Sequence, residues 1–230
     1  MLHSDQPAIP QRYMSIQNLQ SESDNIFGNT NIMTVIPSKY SIPIPEVDLL
    51  SYLFDAPYKD IGWSSTEPLL LSSEESQPSY SIAEIKDKIK HLGHSLHSLG
   101  VQGKRILLYG GTNVHFPLAL LGAIAAGASC AILPPSSVYH ITFYVRLVGA
   151  GFILCGPNDM VRACDAARQV GIPEENVFVV DENVHGTGPV KGRVRHWSWL
   201  LNIPGGKDYD WSRLQSESKN AEALMLCTSG

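Results

Sequence analysis

A chain of 230 residues with 43% apolar and 17% charged side chains can bury a substantial core, which excludes a disordered protein. Its 17 basic and 22 acidic side chains leave a net charge of −5, and no Lys/Arg cluster stands out, which argues against a nucleic-acid partner. The four cysteines show neither CxxC nor Cys/His ligand spacing, and three of them end apolar runs, where a free Cys reads as a small buried hydrophobe in a reducing, intracellular compartment.

Residues 1–45 are polar and rich in Ser, Asn, Gln and Pro, and predict a flexible arm ahead of a domain over 46–230. Nothing in the first residues has the basic and apolar regions of a secretory signal. Val47, Leu50 and Phe54 form a short helical stripe, and PLLLSS (68–73) reads as a strand. The clearest element comes next. Ile82, Ile85, Ile89, Leu92, Leu96 and Leu99 step by three and four along one helix face, with a Ser81/Glu84 capping box at its start and Gly100 at its end. RILLYG, SCAILPP, GFILCG and NVFVVD then read as strands, separated by helices in VHFPLALLGAIAAG, VYHITFYVRLVGA and NDMVRACDAARQVG. Such alternation predicts an α/β fold, a parallel sheet with helices on both faces. The stretch FPLALLGAIAAGASCAILPP reads as helix then strand rather than a membrane span, because its glycines and Ser129 fall where a turn is wanted. From Glu182 to about Asn220 periodicity fails, with Trp197, Trp199, Leu200, Leu201 and Trp211 as anchors for an excursion, and EALMLC restores a strand.

Few residues invite chemistry. His91, His94 and His97 sit opposite the apolar stripe with no nearby Cys, a solvated helix face rather than a metal site. LLYGGTN (107–113) places Gly110 and Gly111 after a strand but matches neither GxGxxG nor the Walker pattern. A tight structural turn is the leading reading, and a pocket wall made by Thr112, Asn113 and His115 the other. No GxSxG elbow is present, and Asp159, Asp165, Glu174 and Glu175 read as solvated charge or caps. No catalytic residue and no metal ligand is expected within the chain. Thr228, Ser229 and Gly230 come after the last strand, where small hydroxyl residues and glycine bring backbone N–H groups close to a phosphate.

The order of elements from YSIAEIKDKIKHLGHSLHSLGVQGKRILLYGG through LGAIAAGASCAILPP resembles the N-terminal region of the adenylate-forming (AMP-binding) enzymes, the acyl-CoA synthetases and 4-coumarate–CoA ligase-like enzymes. VYHITFYVRLVGAGFILC is similar to that family's next unit, and EALMLCTSG to the opening of its phosphate-loop motif TSGTTGxPKG. The resemblance covers about residues 40–230. It implies the first subdomain of the ligase N-terminal domain, with Thr228, Ser229 and Gly230 as the first ATP-binding residues of the loop. It also implies ATP, Mg²⁺ and CoA, with a carboxylic acid activated as an acyl-adenylate and passed to a thiol. On this reading the chain stops inside the loop, and alone it is expected to be inactive. The rivals are a non-catalytic module that binds a partner through an exposed apolar patch, and an adenylation domain that loads a carrier-protein thiol. Some relatives are peroxisomal through a Ser-Lys-Leu address, which this terminus lacks, so cytoplasm is the default expectation.

Overall fold

The computed structural model describes residues 47–55, 66, 68–70, 79–110, 113–181, 189–214 and 222–226. The expected arm and the triplet Thr228–Gly230 lie outside these residues.

Element order matches the apolar pattern. Helix α1 (Leu49–Phe54) is started by the Asp48 side chain, which accepts from the Ser51 N–H at 2.7 Å. Short strands β1 (Pro68–Leu70) and β2 (Tyr80–Ser81) pair antiparallel. The latter leads into α2 (Ile82–Ser98), where Ser81 and Glu84 form the expected capping box with both bonds in place. Then come β3 (Arg105–Tyr109), α3 (Phe116–Ala125), β4 (Ser129–Leu133), α4 (Val138–Val148), β5 (Ala150–Cys155), α5 (Met160–Val170) and β6 (Val177–Val179). The stretch without periodicity holds β7 (Pro189–Lys191), β8 (Val194–His196) and a short helix α6 (Ser198–Leu201), and β9 (Leu224–Leu226) is the last strand.

Seven strands form one sheet in the order β7-β8-β6-β5-β3-β4-β9. All neighbours are parallel except the β7/β8 edge pair. The strands are apolar on both sides because both sides are covered. In β3, Ile106 and Leu108 face a core shared with Ile89, Leu92, Leu96 of α2 and Leu118 of α3. Leu107 and Tyr109 face a second core with Ile141 and Val145 of α4 and Ala163 and Ala167 of α5. Close approach of α2 and α3 depends on Gly122, where an added Cβ would lie 2.5 Å from Leu92 Cβ. Cys130 and Cys155 are buried free thiols, as expected, and burial pushes Cys130 up to about 12.

Two expectations are corrected. The face of α2 carrying His91, His94 and His97 is half-buried rather than solvated: residues 205–209 cross it, an added Cβ on Gly205 would meet the His94 ring at 3.0 Å, and both His94 and His97 lie against the Tyr209 ring. The tryptophan anchors cause this, since Trp197 and Trp211 are buried and draw the intervening chain over the helix. Asp159 is not solvated charge either: it is buried and ion-paired with Arg162, because the 3₁₀ turn at Pro157–Asp159 aims it back at the end of β3. The outer face of α4 remains open, with Tyr139, Phe143 and Leu147 at 75%, 50% and 65% exposure forming a stripe one turn apart. Among the described residues, no helix is long and apolar enough to cross a membrane.

Candidate functional site at the carboxyl edge of the sheet

Leaving β3 the chain first goes to β4 on one side and then to β5 on the other, so direction reverses between β3 and β5. In open α/β sheets ligands bind beyond the carboxyl ends of the strands at such a reversal. The edge here is built from the turns after β3, β4, β5, β6 and β8, and the chain leaves β9 at the same edge. β9 runs parallel to β4 with Ile132 opposite Leu226, so its carboxyl end lies near the Leu133–Pro134 end of β4.

At the reversal, Tyr109 ends β3 with its hydroxyl donating to the Ser136 carbonyl at 2.8 Å and accepting from the Ser136 N–H at 3.3 Å. Desolvation raises the pKa of this phenol, opposed by its bond to Ser136. Gly110 is next, with φ of +116°, a conformation open to glycine. A Cβ there would run into the Asp159 carboxylate and lie 3.2 Å from the Gly156 backbone nitrogen. Gly110 is therefore required twice, by its backbone and by the close approach of the β5 turn. Arg162, in the first turn of α5, reaches back to Asp159, and that hydrogen bond raises the guanidinium pKa further.

Neither described residue of the expected pocket wall is free to line one. Asn113 accepts from the His115 N–H at 2.9 Å and the Phe116 N–H at 3.2 Å, capping the entry to α3. Its amide nitrogen donates to the Val180 carbonyl at 3.2 Å, tying this turn to the end of β6. His115 is wholly buried between Tyr80 and Trp197, its ring centroid 4.9 Å from that of Trp197. Desolvation lowers its pKa to about 4, which keeps the ring neutral. Gly110 and Asn113 serve the turn, while Gly111 and Thr112 lie outside the described residues.

A second polar group sits at the ends of β6 and β8. His196 places Nε2 against the Asp181 carboxylate and Nδ1 2.7 Å from Ser198 Oγ. The residue types are those of a hydrolytic triad, but Ser198 and His196 are buried, and the Ser198 N–H also points at His196 Nδ1 at 3.2 Å. A serine with no approach for substrate cannot be acylated, so this group fastens the edge. Asp181 was visible as an acid ending a strand, whereas His196 and Ser198 meet it only through β8, a three-residue strand with no periodic signal. Among the described residues no cluster of His, Cys, Asp and Glu is arranged to hold a metal ion.

No protein-family model matches the chain. It is 25% identical over 194 residues to a phenylacetyl-CoA ligase of Aspergillus niger, covering 83% of this chain and 34% of that protein. It is also 27% identical over 214 residues to a putative acyl-coenzyme A synthetase of Emericella nidulans, covering 86% of this chain and 36% of that protein. The chain thus spans about a third of the length of the curated relatives it matches. Among solved structures, a red-emitting luciferase from Phrixothrix hirtus superposes with a TM-score of 0.55 at 15% identity, covering 68% of this chain and 29% of the luciferase. Mycobacterium smegmatis MbtA does so with a TM-score of 0.53 at 18% identity, covering 66% of this chain and 27% of MbtA. The fold is the α/β layer of the adenylate-forming N-terminal domain. The chain is thus similar in sequence to acyl-CoA ligases and in fold to adenylate-forming enzymes.

Proposed function

We propose that this chain is the first sheet subdomain of an ATP-dependent ligase that activates a carboxylic acid as an acyl-adenylate and transfers it to CoA. The observation that carries the reading is sequence similarity to acyl-CoA ligases over more than four-fifths of the chain. The direction of β9 agrees with it, because a loop after Leu226 starts at the carboxyl edge where α/β sheets take ligands. Thr228, Ser229 and Gly230 begin that loop, and their hydroxyls and N–H groups would hold phosphate oxygens of ATP. Mg²⁺, when bound to ATP, neutralises charge on the phosphates as the carboxylate attacks the α-phosphorus and pyrophosphate leaves. The described residues supply the frame: Gly110, Asp159, Asn113 and the Asp181–His196–Ser198 group fix the turns that form the edge. We place the protein in the cytoplasm by default.

The test uses the polypeptide that carries these residues in its source. With ATP, Mg²⁺, CoA and a panel of aliphatic and aromatic acids, mass spectrometry should find an acyl-CoA for at least one acid. An acyl-adenylate without thioester would shift the acceptor to a carrier-protein thiol. Neither product with any acid would leave the non-catalytic reading, which the open apolar stripe on α4 favours as a partner surface.

A further inference from the structure

Strand β9 is a poor guide to its own position. Its three residues are Leu-Met-Leu, apolar on either face. Met225 packs against the second core, while Leu224 and Leu226 stay 42% and 70% exposed. Register is strongly set where one face is buried and the other polar, because a slip of one residue turns every side chain over. Here a slip exchanges a methionine for leucines of similar bulk, so burial separates the registers weakly. Among the described residues β9 pairs with β4 alone, as an edge strand. Its position nonetheless matters. Thr228 follows Leu226 by two residues, and one residue of slip moves whatever follows by about 3.3 Å.

The polar contacts able to decide the register lie at the amino end of the strand. The Cys130 N–H donates to the Ala223 carbonyl at 3.0 Å, and Ser129 Oγ donates to the Glu222 carbonyl. Every residue carries a carbonyl, so after a slip these donors would meet the next one along. Only a side chain tells one residue from its neighbour. Glu222 sits between Ala221 and Ala223 and carries the only charge from Asn220 to Leu226. Its Oε2 accepts two bonds from Arg105, from Nε at 3.2 Å and Nη2 at 3.1 Å. Arg105 starts β3, so the two side chains together bridge the amino end of β4, two strand spacings or roughly 10 Å. The remaining nitrogen, Nη1, donates to the Val148 carbonyl at 3.1 Å, at the end of α4. A planar guanidinium fixed on one side offers its other edge at one place, and Glu222 is the residue that meets it.

We propose that Arg105 and Glu222 are positioning residues: their ion pair at the amino edge sets the register of β9 on β4. The pair thereby fixes where the loop bearing Thr228, Ser229 and Gly230 begins. It does so without holding the fold together. The side chains are 45% and 47% exposed, and pairs of that kind contribute little to stability. Little is needed when the competing registers are nearly equal: an exposed pair shifts the ratio about two- to fivefold. The register claim stands on the geometry alone, and its consequence for ATP rests on the ligase reading.

The test compares the native polypeptide that contains these residues with Glu222→Lys, which turns attraction into repulsion, and with the swap Arg105→Glu, Glu222→Lys. Register is read by adding Leu224→Cys or Ala223→Cys to each and oxidising mildly. The free thiol of Cys130 lies opposite Leu224, and neighbouring strands stand about 4.8 Å apart, within disulfide reach. Mass spectrometry should find Leu224→Cys joined to Cys130 in preference to Ala223→Cys. That preference should fall about four- to twentyfold in Glu222→Lys and recover in part in the swap, while the melting temperature moves by less than about 4 °C. An unchanged preference, a preference for Ala223→Cys, no coupling at either position, or a swap no better than Glu222→Lys would overturn the proposal. In ATP–pyrophosphate exchange Glu222→Lys should raise KM for ATP about two- to fivefold and leave KM for the acid unchanged. An equal rise in both would contradict a placed loop. Absence of exchange in the wild type would remove the ligase reading and leave the disulfide result to decide the clamp.

Discussion

Gly110 shows how one residue fixes the edge. Its positive φ and the Asp159 carboxylate pressed against it leave no place for a side chain. Gly110→Ala should therefore cost about 2–4 kcal/mol, measured by urea denaturation, as left-handed strain adds to displacement of the buried Asp159 carboxylate. The glycine pair was legible as a tight turn, but Asp159 was not legible as its neighbour, since an acid just ahead of a helix usually faces water. His115 carries a different signature. Its pKa is 6.5 when unfolded and about 4 when folded, so the folded state binds fewer protons between those values. Its contribution to stability is present above pH 6.5 and is lost as pH falls from 6.5 toward about 4. Stability curves for His115→Gln should be flatter than wild type across that window, and identical slopes would remove His115 as a source of the acid sensitivity.

Among elements, α2 was the most legible because stripe, cap and stop agree. Ser81→Ala removes the acceptor for the Glu84 N–H, and thermal melts should show a loss of about 1 kcal/mol. The opposite face of the same helix misled, because a polar stripe looks solvated unless something distant in sequence covers it. Residues 205–209 cover it, and only the nearby tryptophans announced that. Strands β7 and β8 were missed for a related reason. At three residues each they are too short to show alternation, and β8 is held by its register with β6, Phe178 opposite Arg195, rather than by its own pattern. Helix α4 has one buried face and one open face. Phe143→Lys on its open face should change stability by less than about 0.5 kcal/mol, since that ring is half exposed.

At the scale of the molecule, the α/β layer and its strand order arise from alternating apolar runs, and the carboxyl edge from the reversal at β3/β5. The chemistry is less legible than the fold, because the residues proposed to hold phosphate are three small ones whose role depends on their surroundings. The similarity to acyl-CoA ligases says which ligand to test first. The most direct test is ATP–pyrophosphate exchange by the native polypeptide that contains residues 46–230, run with each acid in turn and with acid omitted. Exchange that appears only when a particular acid is present is the predicted result, since it reports the reversible formation of an acyl-adenylate before any thiol acts. A folded, ATP-binding polypeptide that shows no acid-dependent exchange across aliphatic and aromatic acids would contradict the ligase account.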